Sequence, residues 1–333
     1  MTKIVDKDNL DDAAKCLREG GTVVFPTETV YGLGADALNE NAVKKIYEAK
    51  GRPADNPLII HIADKNDIFK IAKSVSDDAA RLIDKFWPGP LTMIFEKKDE
   101  INKTVTAGLN TVAVRCPVNE TAHKLIEKSK VFVAAPSANL SGSPSPTIFR
   151  HVVSDLDGRV DYIIDGGECR IGIESTVLDV SGDEFRILRP GAVTYEDIKE
   201  VTDRIKSDYK DIKNVKTPQC PGMKYTHYSP KAKVIVVEGN AESTAKYIQE
   251  KLNNKTERTG VLSYKGSKFK NADFVIDAGN DMTHYANGLY EDLRIFDEEK
   301  IDVIYAQFQD EKGIGVAVKN RIYKSAGYNI INV

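Results

Sequence analysis

The sequence predicts an α/β protein in two unequal parts. Residues 1–206 form a mixed, twisted sheet with helices, and residues 232–333 form a smaller α/β domain. Three observations predict this. Short β-branched runs alternate with segments that carry apolar residues at helical spacing. In the first part several strand signals follow one another without an intervening helix, which argues for a mixed sheet; in the last part strands and helices alternate. Between them, residues 207–231 lose their periodicity and read Lys-Thr-Pro-Gln-Cys-Pro-Gly-Met-Lys-Tyr-Thr-His-Tyr-Ser-Pro toward their end, the composition of a linker.

Taken in order, residues 10–20 read as an amphipathic helix closed by Gly20, and residues 22–25 as a short strand. Residues 41–49 place Val43, Ile46 and Tyr47 at helical spacing, and Gly51 and Pro53 end that helix. Lys50 then sits in its last turn and Arg52 just past it. Residues 58–62 are apolar and β-branched, a buried strand. Ser76, followed by Asp77 and Asp78, caps a helix with an acidic first turn that runs to Phe86 and Trp87, where Pro88-Gly-Pro90 stops it. Strands are predicted at 91–95, 111–115 and 131–135, with a helix at 121–128. A proline-rich loop at 141–147 precedes strands at 162–164, 176–180 and 185–188 and a helix at 195–205. Beyond the linker come a strand at 234–237, a helix at 242–252, strands at 261–264 and 274–276, a helix at 285–296, a strand at 303–308 and a helix at 316–325.

With 333 residues the chain is long enough for two cores, and its composition is that of a soluble globular protein. A formal net charge of −3 excludes a global basic surplus that would draw it to nucleic acid or anionic membrane. Cys16, Cys116, Cys169 and Cys220 are widely spaced with no C-x-x-C pair, which argues against a disulfide framework or a zinc site. The charged N-terminus contains no signal-peptide core, and no apolar run approaches spanning length, so a cytoplasmic location is expected.

Polar islands between apolar runs carry the chemistry. Lys50 and Arg52, at a helix end before a forced turn, can bring a point charge and a planar fork to one phosphate; a helix C-terminus also favours cations for dipole reasons. Thr27, Glu28 and Thr29 precede Tyr31-Gly-Leu-Gly34, whose glycines either let backbone approach a ligand closely or serve a tight turn. Neither a Rossmann fingerprint nor a Walker P-loop occurs. Arg115 ends a strand, where a long cation can reach over the sheet edge or lie on the surface. Ser137, Asn139, Ser141 and Ser143 follow an apolar strand, Ser175 and Thr176 begin another, and His61 lies inside an apolar strand as a core or a ligand-facing residue. No hydrolase nucleophile pattern is present. Cations with hydroxyls suit positioning and charge neutralisation at phosphorus.

Read in order, Pro26-Thr-Glu-Thr-Val-Tyr-Gly-Leu-Gly34, Lys50-Gly-Arg52-Pro53, Asn56-Pro-Leu58, Trp87-Pro-Gly-Pro-Leu-Thr92, Val114-Arg-Cys-Pro117, Pro136-Ser-Ala-Asn-Leu-Ser-Gly142, Glu174-Ser-Thr-Val177, Leu188-Arg-Pro-Gly191 and His227-Tyr-Ser-Pro230 resemble the threonylcarbamoyl-AMP synthase family in its long form, with a YrdC-type catalytic domain and an appended C-terminal domain. The motifs are specific in combination, and the resemblance covers nearly the whole chain; the C-terminal domain matches mainly by position.

The resemblance implies a YrdC-like fold followed by a smaller Rossmann-like α/β domain. It also implies a nucleotidyltransferase that makes threonylcarbamoyl-AMP and pyrophosphate from L-threonine, bicarbonate or CO2, and ATP. Lys50 and Arg52 would act at the phosphates, with Asn56, Thr111, Ser137, Ser145, Arg189 and Tyr228 completing the ATP site. Thr29, His61, Arg115, the Ala135 backbone and Ser175 would hold threonine, with Arg115 on its carboxylate. Tyr228 would make the linker a lid, Mg2+ would bridge phosphates, and the product would pass to the tRNA threonylcarbamoyltransferase system. Direct tRNA binding stays open. Two other readings are an RNA-binding module, against which the near-neutral charge counts, and a carbamoyltransferase, which would work without threonine. A nicotinamide dehydrogenase is remote, since Gly313-Ile-Gly315 lacks the third glycine.

Overall fold

A computed structural model describes residues 1–206, 219–221, 228–309 and 312–333. Most of the predicted linker at 207–231, including His227, lies outside these residues. Residues 1–141, 146–170 and 174–224 form one compact unit; residues 142–145, 171–173 and 225–333 form a second.

The first unit contains β1 (Lys3–Asp6), α1 (Asp11–Arg18), β2 (Val23–Phe25), β3 (Gly32–Asp36), α2 (Glu40–Lys50), β4 (Ile59–His61), α3 (Ile68–Ile71), α4 (Asp77–Phe86), β5 (Leu91–Glu96), α5 (Lys103–Thr106), β6 (Thr111–Arg115), α6 (Glu120–Ser129), β7 (Val133–Ala135), α7 (Phe149–Leu156), β8 (Tyr162–Asp165), β9 (Thr176–Asp179), β10 (Arg186–Arg189) and α8 (Tyr195–Lys199). Its ten strands run in the order β1-β8-β2-β3-β7-β4-β6-β5-β9-β10. β4 and β6 are parallel, while β7 on one side of them and β5 on the other run antiparallel, so the sheet is mixed.

Local chemistry sets the helix ends. Asn39 caps α2, its Oδ1 accepting from the amides of Asn41 and Ala42. Gly51 closes α2 in the left-handed region at φ 61°, with Gly51 N–H donating to Glu48 O and Arg52 N–H to Tyr47 O. This is a Schellman ending, and it fixes how Lys50 and Arg52 leave the helix. Ser76 caps α4 through Ala79 N–H.

Two differences from the sequence reading matter for the site. Gly32 and Gly34, read as serving a tight turn or a close approach to a ligand, lie within β3. A side chain at Gly34 would fall 2.6 Å from Val133 Cγ1 and 2.8 Å from the Phe25 ring, so glycine makes room for that ring. Phe25 in turn meets His61 edge-on at 6.0 Å. The predicted helix at 195–205 stops at Lys199.

Register-paired residues project to the same face of a sheet. One face carries Val24, Leu33, Ile60, Met93, Val114 and Leu178 into the larger core. On the other face α1 and α6 pack over Val23, Phe25, Val133 and Ala135. Beside them, Ile59, Ala113, Ile94 and Val177 form a separate buried cluster with Cys220, to which no helix among the described residues contributes. That strip carries the candidate site.

The second unit contains β11 (Lys233–Glu238), α9 (Ala241–Asn253), β12 (Thr259–Ser263), β13 (Phe274–Asp277), α10 (Met282–Glu298), β14 (Val303–Phe308), α11 (Ile314–Ser325) and β15 (Ile330–Asn332). Its five strands, β13-β12-β14-β11-β15, are all parallel. Helices follow β11, β13 and β14, each crossover laying a helix on the sheet as parallel pairing needs, while β12 runs to β13 through a loop.

Candidate active site

The strands place the predicted residues at two levels of one face. His61 pairs in register with Arg115, and Arg115 with Thr92, at one end of the strip. Ile59, Ala113, Ile94 and Ala135 form the next level, and Thr111 lies beyond them at the far end of β6. Four residues of strand separate Thr111 from Arg115, about 13 Å. The Ser137 loop follows β7 at the Thr111 level, and Asn56 precedes β4 at the same level.

At that far end Lys50 is buried, and its Nζ donates to Ser137 O at 2.5 Å and Asn139 O at 2.6 Å, with Asn139 Oδ1 at 3.5 Å. Burial, and then the Arg52 guanidinium, hold its ammonium well below the ordinary lysine range. Lys50 therefore braces the Ser137–Asn139 loop. Ser137 Oγ donates to Asn139 Oδ1 at 2.6 Å. Arg52 is half-buried and reaches Asn56 O at 3.3 Å through Nη2. The Asn56 side chain is fully buried, yet neither its Nδ2 nor its Oδ1 has a hydrogen-bond partner. An unsatisfied buried amide costs roughly 1–3 kcal/mol, and a ligand supplying both a donor and an acceptor would remove that cost.

At the other end Arg115 is 4% exposed. Its Nη1 donates to Thr29 Oγ1 at 2.8 Å, its Nη2 to Glu28 Oε1 at 2.6 Å, and its Nε to Gly89 O at 3.3 Å. Thr27 O–H donates to Val30 O at 2.6 Å, so in the 2.8 Å Thr27–Thr29 contact Thr29 is the donor. Thr29 can then offer a ligand only an acceptor lone pair. Ser175 Oγ lies 2.8 Å from Thr92 Oγ1 and accepts from Arg189 Nη2 at 3.1 Å. Arg189 also donates to Ser175 O and Pro221 O, which ties residues 219–221 to this face.

His61 Nδ1 lies 3.1 Å from Ile59 O, a carbonyl that can only accept, so Nδ1 carries the proton and Nε2 is an acceptor. Burial first, then Arg115, depress its pKa from 6.5 to about 3. The ring is neutral at physiological pH and adds no charge beside Arg115. Because the unfolded chain takes up this proton near pH 6.5 and the folded one only near pH 3, stability falls as pH drops through that window. The expected slope is about 1.4 kcal/mol per pH unit from this one group. Urea midpoints at pH 7, 6 and 5 for wild type and His61→Gln check it: the variant should lack that share of the acid slope, and equal slopes would refute the assignment.

Thus Thr29, His61, Arg115 and Ser175 gather at one end, and Lys50, Arg52, Asn56, Thr111 and Ser137 at the other. Ala135 lies on the same face, and Arg189 reaches Ser175. Ser145 and Tyr228 belong to the second unit. There Arg294 donates to Pro144 O at 2.6 Å, next to Ser145. Tyr228 is buried at φ 66°, stacked on Tyr290 at 5.2 Å with Arg321 5.9 Å from its ring. Two participants went unassigned in the sequence reading, Glu28 and Thr92; both stood inside motifs, but neither had a visible partner.

Comparison with known proteins fits this arrangement. Residues 15–191 match the Sua5/YciO/YrdC family profile, described as telomere recombination, and residues 193–327 match the profile of the threonylcarbamoyl-AMP synthase C-terminal domain. The threonylcarbamoyl-AMP synthase of Pyrococcus abyssi is 49% identical over 325 residues, covering 96% of this chain and 95% of the relative. The chain belongs to the threonylcarbamoyl-AMP synthase family. The Bacillus subtilis member is 48% identical, covering 96% of this chain and 93% of its own length. The crystal structure of P. abyssi Sua5 complexed with L-threonine superposes with a TM-score of 0.94 at 46% identity, covering 100% of this chain and 99% of that one. The family is enzymatic. Among the described residues no helix is long and apolar enough to cross a membrane.

Proposed function

We propose that this chain joins L-threonine, bicarbonate or CO2, and ATP into threonylcarbamoyl-AMP with release of pyrophosphate, as a cytoplasmic nucleotidyltransferase whose product feeds tRNA threonylcarbamoyladenosine modification. The observation that carries this reading is the helix-free strip of sheet face, with a buried Arg115 at one end and Arg52 with the unsatisfied Asn56 amide at the level of the other.

An amino acid bound through its carboxylate at Arg115 keeps its α-amine at that end of the strip. Carboxylation of that amine gives a carbamate, whose oxygen forms the bond to the α-phosphorus as the bond to pyrophosphate breaks. Arg52 supplies a planar fork for the phosphate oxygens, and Asn56, Thr111 and Ser137 supply hydrogen bonds at the same level. Arg189 holds Ser175 at the amino acid end. The neutral His61 helps enclose the amino acid without competing for its carboxylate. Among the described residues no cluster of three His, Cys, Asp or Glu side chains could hold a metal. Magnesium would arrive on the nucleotide's phosphates.

The test is pyrophosphate release from ATP with threonine and bicarbonate present or omitted in turn. Release that requires both, with a nucleotide product carrying threonine, is expected. Release independent of threonine would refute the reading and favour a carbamoyltransferase.

A further inference from the structure

Glu28 holds a carboxylate oxygen with no hydrogen-bond partner among the described residues. The residue is 4% exposed; its Oε1 accepts from Arg115 Nη2 at 2.6 Å, while its Oε2 is buried and makes no hydrogen bond. A salt bridge that served structure alone would satisfy both oxygens, because an unpaired buried charge-bearing atom is among the most costly groups a fold can carry. The complementary deficit lies on Arg115. Of its five N–H donors, three are used, on Gly89 O, Thr29 Oγ1 and Glu28 Oε1, which leaves one on each terminal nitrogen. The pair thus presents two open donors on a cation beside one open acceptor on an anion.

An α-amino acid zwitterion carries the inverse arrangement, a carboxylate and an ammonium on one carbon. We propose that Glu28 Oε2 receives the α-amino group of the amino acid substrate, so that Arg115 and Glu28 together read both of its charges. This rests on the amino acid subsite proposed above. An unopposed Arg115 would accept any small carboxylate, whereas Glu28 repels those that bring no amine. Thr29 with its single lone pair and the neutral His61 Nε2 add acceptors but no charge, so discrimination by charge falls to Glu28.

The test compares L-threonine with 3-hydroxybutanoate, the same molecule without the amine, by calorimetric titration of the full-length protein. Wild type should bind threonine at least about tenfold more tightly, the value of about 1.4 kcal/mol. Glu28→Gln should lose that factor for threonine while binding 3-hydroxybutanoate as well as before or better. A merely structural Glu28, acting only by holding Arg115, would weaken both ligands equally and overturn the proposal. Should Glu28→Gln fail to fold, the wild-type comparison still decides: equal affinity for the two ligands refutes an amine-reading anion. Failure of wild type to bind threonine at all would refute the subsite itself, a distinct outcome.

Discussion

Arg115→Met is expected to cost about 3–5 kcal/mol of stability, the largest single loss in the site. The reason is the charge it leaves behind. Glu28 lies 4% exposed with one oxygen on Arg115 and the other on nothing, so removing the guanidinium strands a carboxylate in a buried site. The Thr29 hydroxyl loses its donor at the same time, and its link to Thr27 loosens. Adding Glu28→Gln to Arg115→Met should restore part of the loss, because the stranded charge is gone. The two changes are therefore non-additive in the double-mutant cycle. Neither variant should release pyrophosphate in response to threonine. Urea denaturation of the four proteins reads the coupling; a loss below about 1 kcal/mol in Arg115→Met, or strict additivity, would mean that Glu28 is hydrated.

Much of the fold and part of the site were legible in the sequence for identifiable reasons. The helix ending at Lys50-Gly51 announced itself because a left-handed cap favours glycine, and that ending orients Lys50 and Arg52. β4 and β6 showed as β-branched runs, and the alternation along them puts His61, Thr111 and Arg115 on one face. β3 was hidden because Gly32 and Gly34 read as a turn. Their role is to admit the Phe25 ring, a contact made across the sheet that no local pattern records. β1, four residues long and mostly exposed, lacks an apolar face to betray it. α7 begins at Phe149 with no side-chain cap at Ile148, so it gave no start signal. α8 had a clear start in the Thr194–Asp197 capping box but no glycine or proline to mark its end. Glu28 was visible as a residue and not as a site: a carboxylate beside a strand reads as surface until Arg115, far along the chain, is brought against it.

Lys50 and Arg52, at the proposed nucleotide end, should fail in different ways. Lys50→Met and Arg52→Ala are each expected to lower threonine-dependent pyrophosphate release by about 100-fold or more, the scale of a lost charge-stabilising donor. Their effects on stability should diverge. Lys50 is 3% exposed and spends its donors on the part-buried Ser137 O and the buried Asn139 O, so methionine removes both bonds and should cost about 1–3 kcal/mol. Its catalytic loss then comes through a loosened 137–139 loop, in which Ser137 and Asn139 also hold each other. Arg52 is half-buried and lies past the helix end, so alanine there should shift stability by about 0.5 kcal/mol or less while the phosphate fork is lost. Urea midpoints beside initial rates separate the cases. Wild-type turnover by either variant would remove that residue from the phosphate site. Equal destabilisation by both would show that Arg52, like Lys50, is part of the brace.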